Sequence, residues 1–387
     1  MRKISLITTS RADYGIQSNL IKLLQNDPEI DFSLIVSGTH LSKKHGETYR
    51  EIENDGVKIA KKINIGMDDE NDLYVERVFS NAVMKFSEAL REISPDIAVL
   101  LGDRYEMLAA ALACCFNNIP IAHLHGGEAT QGATDEFFRH AITKAAHLHF
   151  TSCEDYRRRV IQLGENPERV FNVGSLGVEN VLKVSPLSKE ELEKDTGIKF
   201  LKKNLLVTFH PVTLEKGDAE RQINELLAAL NELPDTMIVF THPNADAEGD
   251  VITRRIQDFV KAKPNRYLFA SLGMKRYFSM IRQVDAVVGN SSSGIIEVPS
   301  FKKATVNIGS RQAGRIQAAS IINCEPEKGD ISRAIQKSYD PAFRETLKSV
   351  ENPYDKKATA ENILRILKTC ELKDIVIKKF HDIKGAV

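Results

Sequence analysis

Short runs of β-branched and apolar residues alternate along the chain with longer stretches in which apolar residues recur every three or four positions. The short runs have the length of strands and end in Gly, Ser or Asp, whereas the longer ones have the spacing of amphipathic helices. In the first half, strands are predicted at residues 3–10, 31–38, 96–103, 120–126, 147–152 and 169–175. Strands that alternate with helices form parallel sheets covered by helices on both faces, so the predicted fold class is α/β.

The alternation weakens after residue 175, in a polar stretch that contains Pro and Gly, and then begins again. The second set of predicted strands lies at residues 204–211, 235–243, 265–271, 285–291 and 303–309. A chain of 387 residues is long enough for two ordinary domains. We therefore predict two doubly wound, Rossmann-like domains, an N-terminal one at 1–174 and a C-terminal one at 178–364.

Composition narrows the classes of partner. Lys and Arg together number 53, as do Asp and Glu, so the chain has no net positive charge with which to hold nucleic acid or an anionic membrane. The N-terminal apolar run is too short for a secretory signal, and no segment approaches the roughly 18 apolar residues of a membrane span. The five cysteines form no CxxC pair, which argues against both a disulfide framework and a zinc site. We expect a cytoplasmic protein.

Ligands of doubly wound sheets bind beyond the carboxyl ends of the strands, so the residues that follow each predicted strand are the candidates for chemistry. In the first domain these residues are rich in carboxylates and histidines, and in the second they supply hydroxyl groups, histidine and arginine. This division predicts acid–base chemistry on the first domain and anion binding on the second.

The segment "GNSSSG", at 289–294, indicates how an anion would bind. One serine suffices to cap a helix, yet three follow the predicted strand here. Backbone N–H and hydroxyl groups at a helix N-terminus suit phosphate oxygens, because the helix dipole places partial positive charge there. Glu297, one helical turn further on, would accept hydrogen bonds from a ribose diol. The segment lacks the lysine of a Walker loop and the GxGxxG order, and a plain helix cap is the alternative interpretation.

Several motifs occur in order along the chain: "RADYG", "GDRYE", "HLHGGE", "DEFFRHAITKAAHLH", "FHPVT", "GNSSSGIIEVPS" and "GSRQAGR". Together they closely resemble the hydrolysing UDP-N-acetylglucosamine 2-epimerases of sialic acid biosynthesis, and the resemblance spans residues 1 to about 365. It implies a glycosyltransferase-B type fold with the nucleotide on the C-terminal domain and the sugar in an interdomain cleft. It also implies a final helix, within about 365–387, that packs back on the N-terminal domain.

The same resemblance implies conversion of UDP-GlcNAc and water to N-acetylmannosamine and UDP. In the family, the proton at C2 of the sugar is removed and UDP leaves from C1, and water then adds to the resulting glycal with inversion at C2. Removal of this weakly acidic proton needs a base that is held close and partly desolvated, and rehydration needs a second proton donor. The diphosphate leaving group needs positive charge and oriented N–H groups. No cofactor is implied.

By resemblance, Asp103 of "GDR" and Asp135 of "TDEFFRH" match catalytic carboxylates of the family. A third family carboxylate is commonly the first acid of an "HxEGGE" motif, where this chain has "HLHGGE". His125 occupies that place and Glu128 is retained, so either side chain is a candidate for the third acid–base group. Histidine exchanges protons near neutral pH and would serve directly.

The resemblance also points to residues that bind UDP. They are expected near the diphosphate, at the helix that follows the serine turn, on the ribose or close by, and are Arg11, Arg104, His210, Asn244, Asp246, Ser291, Ser292, Glu297 and Arg311. A lone Arg or His is usually a solvated or capping residue. The convergence of several strand-end positions on one family pattern favours binding instead.

Two "HxH" pairs, at 123–125 and 147–149, have the composition of a metal cluster. Residues two apart on a strand share one face. The family, however, needs no metal for its chemistry, so we expect these histidines not to form a catalytic metal site.

Other functions remain open at this stage. The same chemistry on a UDP-2,4-diacetamido-trideoxy sugar of the legionaminic acid route is compatible with the motifs, because they do not describe the pocket around C4 and C6. Non-hydrolysing epimerases return UDP-ManNAc, and "GDR" and "RHAITK" argue against them. A glycosyltransferase of the same fold would need an acceptor, and a regulator that only binds nucleotide sugars would release no UDP.

The predicted helix at 71–93 bears on quaternary structure. Its apolar residues lie on more than one side and are Leu73, Val75, Val78, Phe79, Val83, Met84, Phe86 and Leu90. Such a helix is able to pack against a partner subunit as well as against its own sheet. Because related enzymes are commonly dimers or tetramers, we expect a homodimer or tetramer.

Overall fold

The computed structural model describes residues 1–68, 73–131, 133–212, 215, 217–243 and 248–383. Its strands are β1 Arg2–Thr8, β2 Ile30–Ser37, β3 Ile59–Ile63, β4 Ile97–Leu101, β5 Ile121–Leu124, β6 Leu148–Thr151, β7 Val170–Asn172, β8 Lys203–Thr208, β9 Thr236–Thr241, β10 Arg266–Phe269, β11 Ala286–Gly289, β12 Ala304–Ile308 and β13 Ile321–Cys324. Its α-helices are α1 Arg11–Asn26, α2 Tyr49–Asn54, α3 Tyr74–Ile93, α4 Tyr105–Phe116, α5 Asp135–Ala145, α6 Glu154–Gln162, α7 Leu176–Lys183, α8 Lys189–Thr196, α9 Ala219–Asn231, α10 Gly249–Lys261, α11 Gly273–Gln283, α12 Ser292–Ile296, α13 Lys328–Tyr339, α14 Pro341–Leu347 and α15 Thr359–Thr369.

The chain divides into two compact units. Unit 1 comprises Met1–Glu128, Asp135–Asn180 and Lys356–Val387, and unit 2 comprises Ala129–Thr134 and Val181–Asp355. Unit 1 thus extends past the predicted boundary at 174 and resumes before the predicted 365. The reason is that α7 is tied to unit 1: Asn180 Nδ2 donates to Gly15 O at 2.9 Å, and Glu179 Oε2 accepts from Ala360 N at 3.1 Å.

Unit 1 is built on a parallel sheet whose described strands have the order β3-β2-β1-β4-β5-β6-β7. The strand order changes direction between β1 and β4, and ligands of such sheets bind outside the carboxyl ends at this point. One face of the sheet packs against α1 and α15, with Leu6, Leu20 and Leu367 in a single buried cluster. The other face packs against α3, α4 and α5. The sequence segments around 8–13 and 102–106 therefore emerge where chemistry is expected.

Unit 2 has a second parallel sheet, with the described strands in the order β10-β9-β8-β11-β12-β13. Its change of direction lies between β8 and β11, so the residues after Thr208 and Gly289 are adjacent. Helices α9, α10 and α13 cover one face, and α11 contributes to the cluster on the other. Two parallel sheets with helices on both faces confirm the predicted α/β class and its doubly wound domains.

Strands β3 and β13 were not predicted from the sequence. Both lie at the edge of a sheet, where one side of the strand is exposed. The sequence of β3 is "IAKKI" and that of β13 is "IINC", so polar residues interrupt each apolar run. Charged and polar residues are common on edge strands because they prevent pairing with other chains, and they weaken the apolar signal by which strands are recognised.

Helix α3 has apolar residues on an exposed side as well as on its buried side. Val78 and Phe86 face the core, whereas Val75 and Met84 are 47% and 63% exposed. Residues 71 and 72 of the predicted helix lie outside the described residues. The homo-oligomer remains a prediction.

In the described ranges, every helix is either too short or too polar to cross a bilayer.

Candidate active site

Asp103 lies directly after β4 and is held by a buried arginine from α5. The Arg139 guanidinium donates to Asp103 Oδ2, to Glu136 Oε2 at 2.7 Å and to the carbonyl oxygen of Glu128 at 3.0 Å. The Arg139 side chain is 1% exposed, whereas that of Asp103 is 28% exposed. The carboxylate is therefore fixed from the protein interior but remains accessible.

His123, on β5, supports the backbone next to Asp103. Its Nε2 lies 2.8 Å from the carbonyl oxygen of Gly102, and its Nδ1 lies 3.1 Å from Thr143 Oγ1. Burial lowers the pKa of His123 to about 3, so the ring is neutral at physiological pH. This histidine is therefore a structural member of the "HLHGGE" motif. Among the described residues, no group of three or more His, Cys, Asp or Glu side chains is arranged to hold a metal ion.

His125 and Glu128 contact each other in the turn that follows β5. His125 Nδ1 lies 3.2 Å from Glu128 Oε1, which also accepts a hydrogen bond of 2.8 Å from Ser152 Oγ. The two side chains are 11% and 5% exposed. The structure thus joins both candidates for the third acid–base group in one chain of contacts.

Asp135 begins α5, where the positive end of the helix dipole favours a carboxylate. Arg104 interacts electrostatically with Asp135, but its main partner is Glu106, which is fully buried and lies 3.1 Å away. The charge of Glu106 raises the pKa of Arg104 well above its usual value. Arg104 is therefore a permanent cation at the carboxyl end of β4.

Arg11 occupies the first turn of α1, beyond the carboxyl end of β1. Its side chain is 41% exposed, and its guanidinium lies 3.9 Å from Glu51 Oε1. Asp13, two residues further on, accepts a hydrogen bond of 2.9 Å from Thr9 Oγ1, and burial raises the pKa of this carboxyl. Asp13 is consequently a second carboxyl group near Arg104, in addition to the predicted site residues.

In unit 2, Asn290 joins the loops that follow β8 and β11. Its Oδ1 accepts from His210 N at 2.7 Å, and its Nδ2 donates to His210 O at 2.8 Å. Arg311 Nη1 and Gln312 Nε2 both donate to the carbonyl oxygen of Asn290, at 3.2 and 2.9 Å. Burial, together with the charge of Arg311, lowers the pKa of His210 well below its usual value, so this ring is neutral.

The serine turn is shaped by a glycine with little space around it. Gly289 has φ +133°, and a Cβ atom there would lie 1.9 Å from Thr208 O, so only glycine fits. Ser291 is the N-cap residue of α12, but its side chain makes no capping hydrogen bond. The plain-cap interpretation therefore does not account for this hydroxyl group. Ser292, at the first position of α12, places its N–H at the same end.

Glu297 follows α12 and is 9% exposed. Nearby, Tyr277 OH donates to Ser293 Oγ at 3.0 Å, and burial raises the pKa of Tyr277 to about 12. The phenol is therefore a neutral hydrogen-bonding group beside the serine turn. Two further predicted residues, Asn244 and Asp246, lie outside the described residues.

The structure gives roles to three residues that the sequence analysis did not assign. Arg139 stands in the "DEFFRH" motif and Asn290 in "GNSSSG", so motif membership was the available signal for both. Ser152 follows β6, and its position after a predicted strand was the only signal in the sequence for its role. Each of the three acts by fixing another residue, and such a role depends on contacts between distant parts of the chain.

Comparison with known proteins identifies the family. Residues 22–368 match the family described as UDP-N-acetylglucosamine 2-epimerase. The chain is 42% identical over 385 residues to the polysialic acid biosynthesis protein P7 of Escherichia coli, which covers 99% of this chain and 98% of that protein. It is 40% identical over 384 residues to the GDP/UDP-N,N'-diacetylbacillosamine 2-epimerase (hydrolyzing) of Campylobacter jejuni, with 99% of each chain covered.

A solved structure shares the fold. The UDP-GlcNAc 2-epimerase from Neisseria meningitidis bound to UDP-GlcNAc matches with a TM-score of 0.81 at 17% identity, over 96% of this chain and 100% of that chain. The predicted glycosyltransferase-B type fold is thereby confirmed. The family model matches most of this chain, and two relatives are more than 30% identical to it over nearly its whole length. The chain therefore belongs to the UDP-N-acetylglucosamine 2-epimerase family.

Proposed function

We propose that the protein is a hydrolysing 2-epimerase that converts UDP-GlcNAc and water into N-acetylmannosamine and UDP. The observation that carries the proposal is the cluster in unit 1, where the accessible Asp103 carboxylate is held by buried Arg139 beside the His125–Glu128 pair. Epimerisation at a carbon next to the anomeric centre requires such acid–base groups. The Escherichia coli relative is a polysialic acid biosynthesis protein, and N-acetylmannosamine is a precursor of sialic acids.

In the proposed first step, Asp103 removes the proton from C2 of the sugar. The electron pair of the C2–H bond forms the C1=C2 double bond, and the C1–O bond breaks with its electrons passing to the diphosphate. Arg311 supplies positive charge to that leaving group, and the N–H and hydroxyl groups of Ser291 and Ser292 supply oriented donors. His210, being neutral, contributes a hydrogen bond rather than a charge.

The remaining predicted contacts have supporting roles in this proposal. Glu297 accepts hydrogen bonds from the ribose hydroxyls, and Arg11 and Arg104 add positive charge near the diphosphate. For Asn244 and Asp246, which lie outside the described residues, the role near the nucleotide rests on the family resemblance alone. Asp135 acts in the second step, in which water adds to the glycal, together with a third group from the His125–Glu128 pair.

Incubation of the purified protein with UDP-GlcNAc in heavy water, followed by NMR of the products, tests the activity. We expect UDP and a free N-acetylamino sugar in equal amounts, with deuterium at C2 and the manno configuration. Release of UDP-ManNAc instead would indicate a non-hydrolysing epimerase. Absence of UDP release would contradict the proposal.

The variant Asp103→Asn tests the base. Since the amide cannot accept the C2 proton, we expect UDP release to fall by at least about 100-fold, while UDP affinity stays within twofold of wild type. Asp155→Asn, which changes an exposed carboxylate on α6, is the control and should retain full activity. Normal turnover by Asp103→Asn would show that another group is the base.

A second substrate is favoured by one observation. The Campylobacter jejuni relative, almost as similar as the Escherichia coli protein, is a 2-epimerase of N,N'-diacetylbacillosamine nucleotides. The diacetamido sugar differs at C4 and C6 but presents the same C2 proton and the same leaving group. Comparison of kcat/KM for the two UDP sugars under identical conditions decides between them.

A further inference from the structure

The backbone of His125 adopts a conformation that a side chain normally disfavours. Its φ angle is +64°, in the left-handed region, although the residue is not glycine. This conformation is fixed by neighbours: His125 N donates to Phe150 O at 2.8 Å, and Arg139 and Arg159 donate to the carbonyl oxygens of Glu128 and Gly127. Non-glycine residues held in this region are concentrated at functional sites, where the strain is compensated by the surrounding structure. A glycine would adopt this conformation without strain. The presence of histidine therefore directs attention to what its side chain contributes.

The ring of His125 has a defined orientation. Glu128 Oε1 accepts a hydrogen bond from Ser152 Oγ at 2.8 Å, and Ser152 is fully buried. The same carboxylate oxygen lies 3.2 Å from His125 Nδ1. Because a carboxylate is an acceptor, this contact selects the form of the ring in which Nδ1 carries a proton. Proton exchange with a ligand is then left to Nε2.

Nε2 is the atom through which the ring is able to act. It is buried, and no hydrogen-bond partner faces it among the described residues. Glu128, in contrast, is already engaged by Ser152 and His125. The geometry therefore favours His125 over Glu128 as the group that meets the substrate.

The chemistry of inversion requires two different groups at C2. A proton taken from one face of the carbon and returned to the other cannot travel on a single fixed side chain. The oxygen lone pairs of the Asp103 carboxylate accept a proton, whereas Nε2 of an imidazole either accepts or donates one. The two residues follow adjacent parallel strands, β4 and β5, so both lie at the same edge of the sheet and are separate side chains available to one ligand.

We propose that His125 Nε2 delivers the proton to C2 during hydration of the glycal and that Glu128 and Ser152 are positioning residues for the ring. This assignment rests on the proposed epimerase function. The electron pair of the C1=C2 bond takes the proton from Nε2, the oxygen of water bonds to C1, and the proton that water loses passes to Asp135. His125 is left neutral and regains its proton from solvent, as Asp103 loses the one taken in the first step.

The variant His125→Asn tests the assignment. Asparagine is among the non-glycine residues that best tolerate the left-handed region, and its amide N–H is able to replace Nδ1–H toward Glu128. It has no atom in the place of Nε2. With UDP-GlcNAc as substrate, we expect UDP release within tenfold of wild type, formation of the 2-epimer reduced by at least about 100-fold, and accumulation of the glycal, detected by NMR of its vinylic proton.

The control is His147→Asn, which changes another buried histidine of the same sheet. His147 Nδ1 accepts a hydrogen bond of 3.1 Å from Ile121 N and lies outside the cluster. We expect this variant to form UDP and the 2-epimer in the wild-type ratio. Wild-type protein that released no UDP would contradict the epimerase function itself. A His125→Asn variant that produced the 2-epimer as fast as UDP would overturn only the present assignment, and so would equal loss of both products.

The positioning roles are tested by Glu128→Gln and Ser152→Ala with the synthetic glycal and UDP supplied. We expect kcat for hydration to fall while KM for the glycal is unchanged, since both residues act through the ring. In the His125→Asn background, Glu128→Gln should cause no further loss, because effects transmitted through one group are not additive. An additive loss in the double variant would show that Glu128 acts independently of His125.

Discussion

Arg139 is the side chain that holds the carboxylates of Asp103 and Glu136 in unit 1. Its guanidinium is buried, yet it donates to Asp103, to Glu136 and to the carbonyl oxygen of Glu128. The planar fork of arginine allows several donors in fixed directions, which the single ammonium group of lysine does not reproduce. Loss of one member of a buried ion pair leaves the other charge uncompensated.

We expect Arg139→Met to lower the free energy of unfolding by about 1–3 kcal/mol, measured by urea denaturation, because the carbonyl oxygen of Glu128 loses a buried donor. Arg139→Lys keeps the charge and should be less destabilising, but its UDP release should fall at least about tenfold because Asp103 is no longer held in the same orientation. The control is Arg158→Met, whose side chain is 67% exposed and pairs with Asp155 on the surface. That variant should lose no more than about 1 kcal/mol. If Arg139→Met and Arg158→Met were equally stable, the contacts of the buried Arg139 guanidinium would not contribute to the free energy of unfolding.

At the level of residues, sequence patterns predicted candidate acid–base groups but not the groups that hold them in place. Asp103 and Glu128 were predicted because they follow strands and match motifs. Arg139 reaches Asp103 from 36 residues away, on a helix. No spacing in the sequence predicts a contact between the end of a strand and a helix that covers the sheet. The contact between Arg139 and Asp103 depends on how α5 packs against the sheet.

The turn after β5 shows how one element restricts its residues. Gly127 has φ +78°, and a Cβ atom there would lie 2.5 Å from Tyr156 O, in α6. At Gly126, a Cβ atom would lie 3.0 Å from both His123 Nδ1 and Thr143 Oγ1. The turn is therefore pressed against α6 on one side and against the side chain of His123 on the other.

We expect Gly127→Ala to destabilise the protein by about 1–3 kcal/mol more than Gly56→Ala, the scale of an overpacked site. Gly56 is a matched control because it has a similar φ of +74° with no atom near the position of a Cβ. The two substitutions share the backbone penalty and differ in the contact with Tyr156. Urea denaturation measures the difference, and the Gly127 variant should also lose 2-epimer formation because Glu128 is displaced. If Gly127→Ala and Gly56→Ala were equally stable, the turn after β5 would be able to move away from Tyr156 without a cost in the free energy of folding.

The elements themselves were predicted unevenly. Central strands such as β4 and β11 are continuous apolar runs, because both faces of a parallel strand are buried, and the sequence predicted both within a few residues of their actual bounds. The edge strands β3 and β13 are partly exposed and were missed. The polar residues of these two strands make their sequences resemble those of loops, and only the pairing with a neighbouring strand identifies them.

At the scale of the whole molecule, the C-terminal segment completes unit 1 around a buried carboxylate. Glu165 and His149 are each 1% exposed, with Glu165 Oε2 3.0 Å from His149 Nε2 and 2.7 Å from Lys378 Nζ. Phe380 packs against Gly164, and His381 N donates to Gly164 O at 2.9 Å. Residues more than 200 positions apart in the sequence therefore share one electrostatic cluster.

This cluster predicts a specific acid sensitivity. Burial by itself would raise the pKa of Glu165, but hydrogen bonds from His149, Lys144 and Lys378 lower it from 4.5 to about 2. A carboxyl group whose folded pKa is depressed stabilises the fold above its unfolded pKa, and this contribution, about 3 kcal/mol, is lost as the pH falls from 4.5 toward 2. We expect Glu165→Gln to lower the free energy of unfolding by about 3 kcal/mol at pH 7 and by less than half of that near pH 3, as measured by urea denaturation.

Glu371→Gln provides the control for that measurement, because Glu371 is exposed on the same C-terminal segment. Its effect on stability should be small at every pH. A Glu165→Gln difference that stayed constant between pH 7 and pH 3 would contradict the depressed pKa. Refolding after return to pH 7 separates reversible loss of stability from irreversible unfolding.

The sequence alone determined the α/β class and the two doubly wound domains through local composition and periodicity. Its motifs determined the family resemblance and, with it, which strand-end residues are candidates for acid–base chemistry and anion binding. The tertiary structure decided that Arg139 holds Asp103, that Ser152 and Glu128 orient His125, and that the C-terminal segment encloses Glu165. Each of these depends on side chains brought together by the packing of separate elements, and burial then sets their charges and hydrogen bonds.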